Sequence, residues 1–226
     1  MSTHLSQDEL TKSIQALDMA KGRAATALKK LSFDGMISDN LVGLVAVDIG
    51  SSFLGITEEP ASSNDGPWVR PFIPIGSSPD MWCARFVYRC WLRAVEAINI
   101  RLGQLGHKSR YKLVNHLTGS TSSLYRSNLE LGCAWSAEEV LAGKVIPHAG
   151  DAWTRNDDRE AVYAGHRGKA GHTGLTSAYG DKIYWSLEGN SALDTQTNNG
   201  GSVCAKFFRA DDVKSVGIVR PTVILI

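Results

Sequence analysis

The stretch "SPDMWCARFVYRCW", residues 78 to 91, sets a cysteine directly after a tryptophan and then repeats apolar residues at helical spacing. Cys83, Phe86, Val87, Cys90 and Trp91 continue through Ala94, Val95 and Ile98, while Arg85, Arg89, Arg93 and Glu96 fall on other faces. This three- and four-residue spacing predicts a helix of about five turns with one buried side. Pro79 and Asp80 supply a chain stop and a candidate N-cap ahead of it. Cys83 then lies in the first turn, where unsatisfied N–H groups and the positive end of the helix dipole favour an anion. A free thiol with pKa ~8.5 is mostly protonated at neutral pH, and only the thiolate is reactive. Cys83 therefore has two readings: a small core residue, or a nucleophile partly activated by the backbone. Cys90, two turns on along the same face, reads as core.

On the N-terminal side, residues 6 to 31 read as one amphipathic helix. Ser6 and Glu9 form a capping-box pattern, and Leu10, Ile14, Leu17, Ala24, Leu28 and Leu31 form a stripe broken only by Lys21. Such a stripe is a packing face, with a partner-binding or self-associating helix as the second reading. Residues 32 to 40 read as a linker, giving an N-terminal helical extension over 1–40 and a main domain over 41–226. LVGLVAVDIG, from Leu41, is a short helix or a buried strand; periodicity does not choose.

Beyond the cysteine helix, SAEEVLAGKVIP predicts a short helix capped by Ser136, with Glu139 at the capping-box position. VIPHAGDAW marks a turn into a strand. Residues 154 to 171 are polar and Gly-bearing, a loop by composition. HTGLTSA and KIYWSLE read as two strands around Tyr179-Gly180-Asp181, and the C-terminal KFFRADDVKSVGIVRPTVILI adds one or two more. Helices come early and strands late, an α+β pattern.

The composition narrows the function classes. The chain has 226 residues, 43% of them hydrophobic, and 24 basic against 23 acidic residues leave a formal charge of +1. That balance gives no reason to expect nucleic acid or an anionic membrane as partner. No apolar run approaches the ~18 residues of a spanning helix, so no membrane insertion is expected. MSTHLSQDEL is polar and acidic where a signal peptide is basic and then apolar, which predicts synthesis in the cytoplasm. The four cysteines make no C-x-x-C pair and no Cys/His cluster with zinc spacing, so no disulfide framework, metal or other cofactor is expected.

A nucleophilic cysteine needs a base. Of six histidines, His172 opens a predicted strand, and His166, in GHRG, is its nearest rival in polar loop. Glu188 and Asn190 share strand parity. A two-residue loop at Gly180-Asp181 sets His172 opposite Gly189, with Glu188 and Asn190 turned away. A three-residue loop, 179–181 or 180–182, sets His172 opposite Glu188 or Asn190, and Gly180 suits a left-handed position in it. In the second case a carboxylate or amide can hold the imidazole tautomer, and a Cys–His–acid relay can close.

W-C-A-R-F-V at 82–87, G-H-T-G at 171–174 and E-G-N at 188–190 together resemble the CHAP family (cysteine, histidine-dependent amidohydrolases/peptidases), of the papain-like NlpC-type superfamily. EEPASSNDGPWV at 58–69 and PHAGDAW at 147–153 resemble further motifs of that family, and the likeness spans about residues 41 to 220. The resemblance implies a cysteine-bearing helix packed on an antiparallel sheet. It also implies Cys83 as nucleophile, His172 as base and later acid, Glu188 as the group orienting the imidazole, and Asn190 as the polar group completing the site. The activity implied is cleavage of an amide bond in bacterial peptidoglycan, by an N-acetylmuramoyl-L-alanine amidase or endopeptidase working through a thioester. A phage lysin or virion-associated enzyme is the leading form, and a secreted antibacterial amidase effector the alternative. Either would act in the cell wall or periplasm after release, virion delivery or specialised secretion. A non-catalytic wall-binding or virion structural protein retaining the fold is the reading from another class. The segment 99–147, the charged loop 154–170, the N-terminal helix and Thr173, where valine is common, depart from the family pattern.

Overall fold

The computed structural model describes residues 7–29, 40–61, 63–73, 81–116, 121–163, 166–191, 201–211 and 215–226. In chain order these form α1 (Gln7–Lys29), α2 (Leu41–Ser51), α3 (Cys83–Gln104), β1 (Tyr111–Leu113), α4 (Thr121–Glu130), β2 (Ala134–Ser136) and α5 (Ala137–Leu141). Six strands follow: β3 (Ala152–Tyr163), β4 (His166–Gly180), β5 (Ile183–Ser191), β6 (Ser202–Arg209), β7 (Ser215–Val219) and β8 (Val223–Leu225). The six-stranded sheet runs β2-β7-β3-β4-β5-β6, every described pair antiparallel, and β1 pairs with β8. The class is α+β. No helix among the described residues is long and apolar enough to cross a membrane.

The α3 stripe does what its spacing predicts. Cys83, Phe86, Val87, Cys90, Trp91, Ala94, Val95, Ile98 and Leu102 are buried, and Arg93 and Glu96 are exposed. The helix begins later than an Asp80 cap would place it: Trp82 is the N-cap residue, without a side-chain capping bond, and Cys83 is the first helical residue. Pro79 and Asp80 lie outside the described residues, as do Ser6 and nearly all of the expected 32–40 linker.

LVGLVAVDIG resolves as helix. Nine residues of α2 are buried, because α1 and α3 cover one side and the sheet and the 149–150 turn the rest. Ala20 and Ala24 of α1 join the same core, so this part of the N-terminal stripe is used within the chain; the side chains of Leu10, Ile14 and Leu17 lie outside the described residues.

Two hydrophobic clusters cover the two faces of the sheet. The larger holds Leu175, Leu187 and Ala152 against α2 and α3. The smaller gathers Trp153, Tyr184, Phe208 and Ile218 with Val140 of α5. That helix carries the expected reciprocal cap between Ser136 and Glu139.

The expected loop at 154–171 is instead strand over most of its length, forming the outer parts of β3 and β4. Composition misleads here because ladder hydrogen bonds form regardless of side-chain polarity: Tyr163 through Glu160 pair with His166 through Lys169, and Asn156 pairs with Gly171 beyond an irregularity. His172 consequently stands inside β4 and does not open it.

Candidate active site

Cys83 enters from the first residue of α3, and His172 from the middle of β4. What places the start of α3 is Trp82: its indole Nε1–H donates to Glu58 Oε1 at 2.8 Å, and its ring stacks on Phe72 at 5.5 Å between centroids. Glu58 is fixed in turn by its own N–H, which donates to the Gly201 carbonyl at 2.7 Å. The residue before Cys83 is thus tied to a loop on one side and to the approach to β6 on the other.

His172 Nε2–H donates to Glu188 Oε2 at 3.0 Å. The hairpin reaches this geometry by a route different from either expected loop. Gly180 pairs with Ile183, so the loop is two residues, Asp181 and Lys182, both in the left-handed region (φ 51° and 59°). This is the backbone of a type I′ turn, and Gly180 is not its left-handed residue. Taken alone, that loop would bring Glu188 to the wrong face. Ser177, however, is an extra residue in β4, standing between the pairs Thr176–Ser186 and Ala178–Trp185. The bulge shifts parity by one. Leu175 now pairs with Leu187, and Glu188 shares a face with Gly174 and His172. Gly174 supplies the room: a Cβ there would lie 2.9 Å from Glu188 Cγ and 2.8 Å from Ser186 Oγ.

Glu188 is buried and surrounded by donors. Ser191 Oγ–H donates to its Oε2 at 2.8 Å, and the buried Lys206 lies near. Burial alone would keep the acid neutral; His172, Lys206 and Ser191 outweigh it and hold Glu188 near pKa 2. The imidazole shows the complementary balance. Burial opposes its charge, but contacts with Cys83 and Glu188 raise its pKa to about 9. Trp153 meets the ring edge-on at 5.6 Å and donates its own Nε1–H to Ser186 Oγ at 2.7 Å. The imidazole therefore rests between a carboxylate and an aromatic wall, both held by the sheet.

His172 Nδ1 is buried and makes no full hydrogen bond, and Cys83 is close enough for thiol and imidazole to change each other's proton affinity. Burial favours the neutral thiol, yet His172, Thr121 and the Ala84 N–H outweigh it and bring the Cys83 pKa below the ordinary value. Cys90 and Cys204 go the opposite way. Burial raises the pKa of Cys90 far above the ordinary range and that of Cys204 to about 12. One buried cysteine among these is tuned toward thiolate, and it sits at a helix start beside a histidine. The arrangement can hold a thiolate–imidazolium pair, with Nε2 committed to Glu188 and Nδ1 free to exchange a proton.

Asn190 is placed differently from the other three. Its backbone is left-handed (φ 56°), at an irregularity where β5 pairs with β6 between Glu188 and Ser191. The side chain is buried, and its Nδ2–H donates to Asn64 Oδ1 at 3.1 Å, not to the imidazole. Asn64, also left-handed at φ 53°, lies within the 58–69 stretch with Glu58. His166 is placed by its backbone alone, opposite Tyr163. Among the described residues no group of three or more His, Cys, Asp or Glu could hold a metal ion.

Sequence reasoning assigned no role to Thr121, Trp153, Ser191 or Lys206. Ser191 had a local signal in its position three residues after Glu188. Lys206 and Trp153 reach the site only through strand order, which spacing does not disclose. No protein-family model, curated protein or solved structure matches this chain.

Proposed function

We propose that the protein is a cysteine hydrolase of the papain-like, CHAP type, acting on an amide bond of bacterial peptidoglycan. One observation carries the hydrolase reading: a thiol tuned toward thiolate and a buried imidazole with a free Nδ1 meet, while Glu188 holds the other ring nitrogen at 3.0 Å. The choice of peptidoglycan rests on the W-C-A-R-F-V, G-H-T-G and E-G-N motifs and their order.

In this reading the Cys83 thiolate attacks the amide carbonyl carbon, and the carbonyl electrons move to oxygen. The Cys83 backbone N–H, at the start of α3, supplies one donor to that oxyanion. The tetrahedral adduct collapses, the C–N bond breaks, and the departing amine takes the proton from His172 Nδ1. A thioester remains. Neutral His172 then accepts a proton from water as the water attacks the thioester carbonyl, and the acid product leaves with Cys83 restored as thiolate and His172 as imidazolium. Glu188 keeps the ring oriented and favours the imidazolium throughout, without itself becoming protonated.

The test is digestion of purified peptidoglycan followed by mass spectrometry of the released muropeptides. Wild type should release stem peptides or cleaved cross-links, and Cys83→Ala should release none. Equal product from both proteins, or none from either, overturns the reading. The cleaved bond itself distinguishes amidase from endopeptidase.

A further inference from the structure

Thr121 is the first residue of α4, a ten-residue helix, and it is buried. As the first helical residue it stands one place past the N-cap position, from which a threonine hydroxyl accepts from the N–H groups of the first turn. Here Thr121 Oγ1 is buried with no hydrogen-bond partner. The side chain is oriented by packing: a Cβ at Gly171 would lie 2.8 Å from Thr121 Cβ and 3.3 Å from its Cγ2, so the methyl group rests against the residue that precedes His172. With the methyl fixed and χ1 stiff in a β-branched side chain, the hydroxyl has one direction left. Cys83 is the group on which it acts.

We propose that Thr121 is a positioning residue for the nucleophile, its hydroxyl donating a hydrogen bond to the Cys83 sulfur once the thiol proton has moved to His172. The inference rests on the reading of Cys83 as nucleophile. The sulfur then has three donors from three elements: the Ala84 N–H from α3, the Thr121 hydroxyl from α4 and the His172 imidazolium from β4. It also lies at the first residue of α3, so the positive end of that dipole bears on it. Of charged groups farther out, Glu188 on β5 acts on the thiol through His172, and Lys206 on β6 faces Glu188. The hydroxyl gives the sulfur a fixed direction, which a lone ion pair between two side chains does not. It also explains why glycine precedes His172, because any side chain at residue 171 would displace the threonine.

The experiment is a pH titration of thiolate ultraviolet absorbance, taken as the difference between each protein and its Cys83→Ala counterpart. It needs no substrate and no access of a reagent to the buried sulfur. Thr121→Val keeps the shape and removes the hydroxyl, and it should move the thiolate midpoint up by about one pH unit or more, a typical effect for a hydrogen bond to a charged group. Thr121→Ser should return the midpoint to the wild-type value. Should the valine variant fail to fold, as judged by circular dichroism, Thr121→Ala against Thr121→Ser makes the same comparison. An unshifted midpoint without the hydroxyl, or a shift in the serine variant as large as in the valine variant, overturns the inference while leaving the hydrolase reading intact. A wild-type Cys83 with an ordinary thiol midpoint overturns both.

Discussion

Ser177, one unpaired residue in β4, decides the face on which Glu188 stands. The Asp181–Lys182 loop alone would set Gly174 opposite Gly189 and point Glu188 into the layer that packs on α2 and α3. The extra residue moves every pairing beyond it by one and brings the carboxylate round to His172. What matters is that Ser177 stays out of the ladder: deleting it leaves Thr176–Ser186 and Ala178–Trp185 as neighbouring pairs, so Glu188 stays opposite Gly174 and the low thiolate midpoint of Cys83 should survive. Inserting one residue between Leu187 and Glu188 instead sets the new residue opposite Gly174 and turns Glu188 to the other face, and it should abolish both the low midpoint and the hydrolytic activity. An insertion variant that keeps full activity would show that the register is not what aims Glu188.

Glu188→Gln keeps an acceptor for His172 but removes the charge that favours the imidazolium. His172 has a folded-state pKa raised to about 9, despite burial, through Cys83 and Glu188. Its contribution to stability is fully present below the ordinary histidine range near ~6.5 and is lost as pH rises through about 9. The thiolate–imidazolium pair should thus persist from the lowered Cys83 midpoint up to about pH 9, with activity falling on either side. In Glu188→Gln the alkaline limb should move to lower pH and the maximal rate should drop about 100-fold or more. Hydrolysis rates across pH check the limb, and urea unfolding at neutral and alkaline pH should show a weaker pH dependence in the variant.

Glu58 bears on Cys83 through Trp82. Replacing it with alanine strands a buried indole N–H and should lower stability by about 1–3 kcal/mol. Glu58→Gln retains an acceptor and should lose less. Urea unfolding ranks the two, and the Cys83 thiolate midpoint should shift more in the alanine variant, because the residue before Cys83 has lost its anchor.

Arg220 forks onto Asp151, Nε to Oδ1 at 3.0 Å and Nη2 to Oδ2 at 2.8 Å, and Nη2 also donates to the Ile146 carbonyl at 2.9 Å. Asp151 is buried in the turn on which α2 rests and to which Trp91 donates through the Gly150 carbonyl. Arg220→Ala leaves that carboxylate unpaired and should destabilise by about 3–5 kcal/mol at neutral pH. Burial already raises the Asp151 pKa even against the pull of Arg220, so the loss should shrink as pH falls and the acid is protonated. Unfolding midpoints at neutral and acid pH test both statements.

The parts of the fold legible in sequence are those whose signal is local. The α3 stripe reads directly because one period covers its whole buried face, and the Ser136–Glu139 cap because four residues contain it. The hairpin was located to within one residue, but its register was not, because the Ser177 bulge leaves no local mark in T-S-A-Y. It is compatible with Leu175 and Leu187 both reaching the helical layer, a condition set by tertiary packing. LVGLVAVDIG stays ambiguous in sequence for a related reason: with nine of its eleven residues buried, the helix leaves almost no polar face to mark its period. Composition failed at 154–171, where a hairpin satisfies the backbone whatever its side chains are. Thr121 was invisible since an isolated threonine gains meaning only from Gly171, which reaches it through the fold.

The site is divided along the chain as well as in space. Cys83 and Thr121 belong to helices made early, while His172, Glu188 and Lys206 lie on strands that follow them. Contacts between groups so distant in sequence form after the loops between them have closed. Until β4 and β5 dock, with the bulge in register, Cys83 has no imidazole beside it and is an ordinary thiol. Its lowered pKa is thus a late product of folding: a nascent or half-folded chain carries an ordinary cysteine, and only a finished one carries the tuned thiol. A thiolate signal from Cys83 would accordingly measure the fraction of molecules that have completed the sheet.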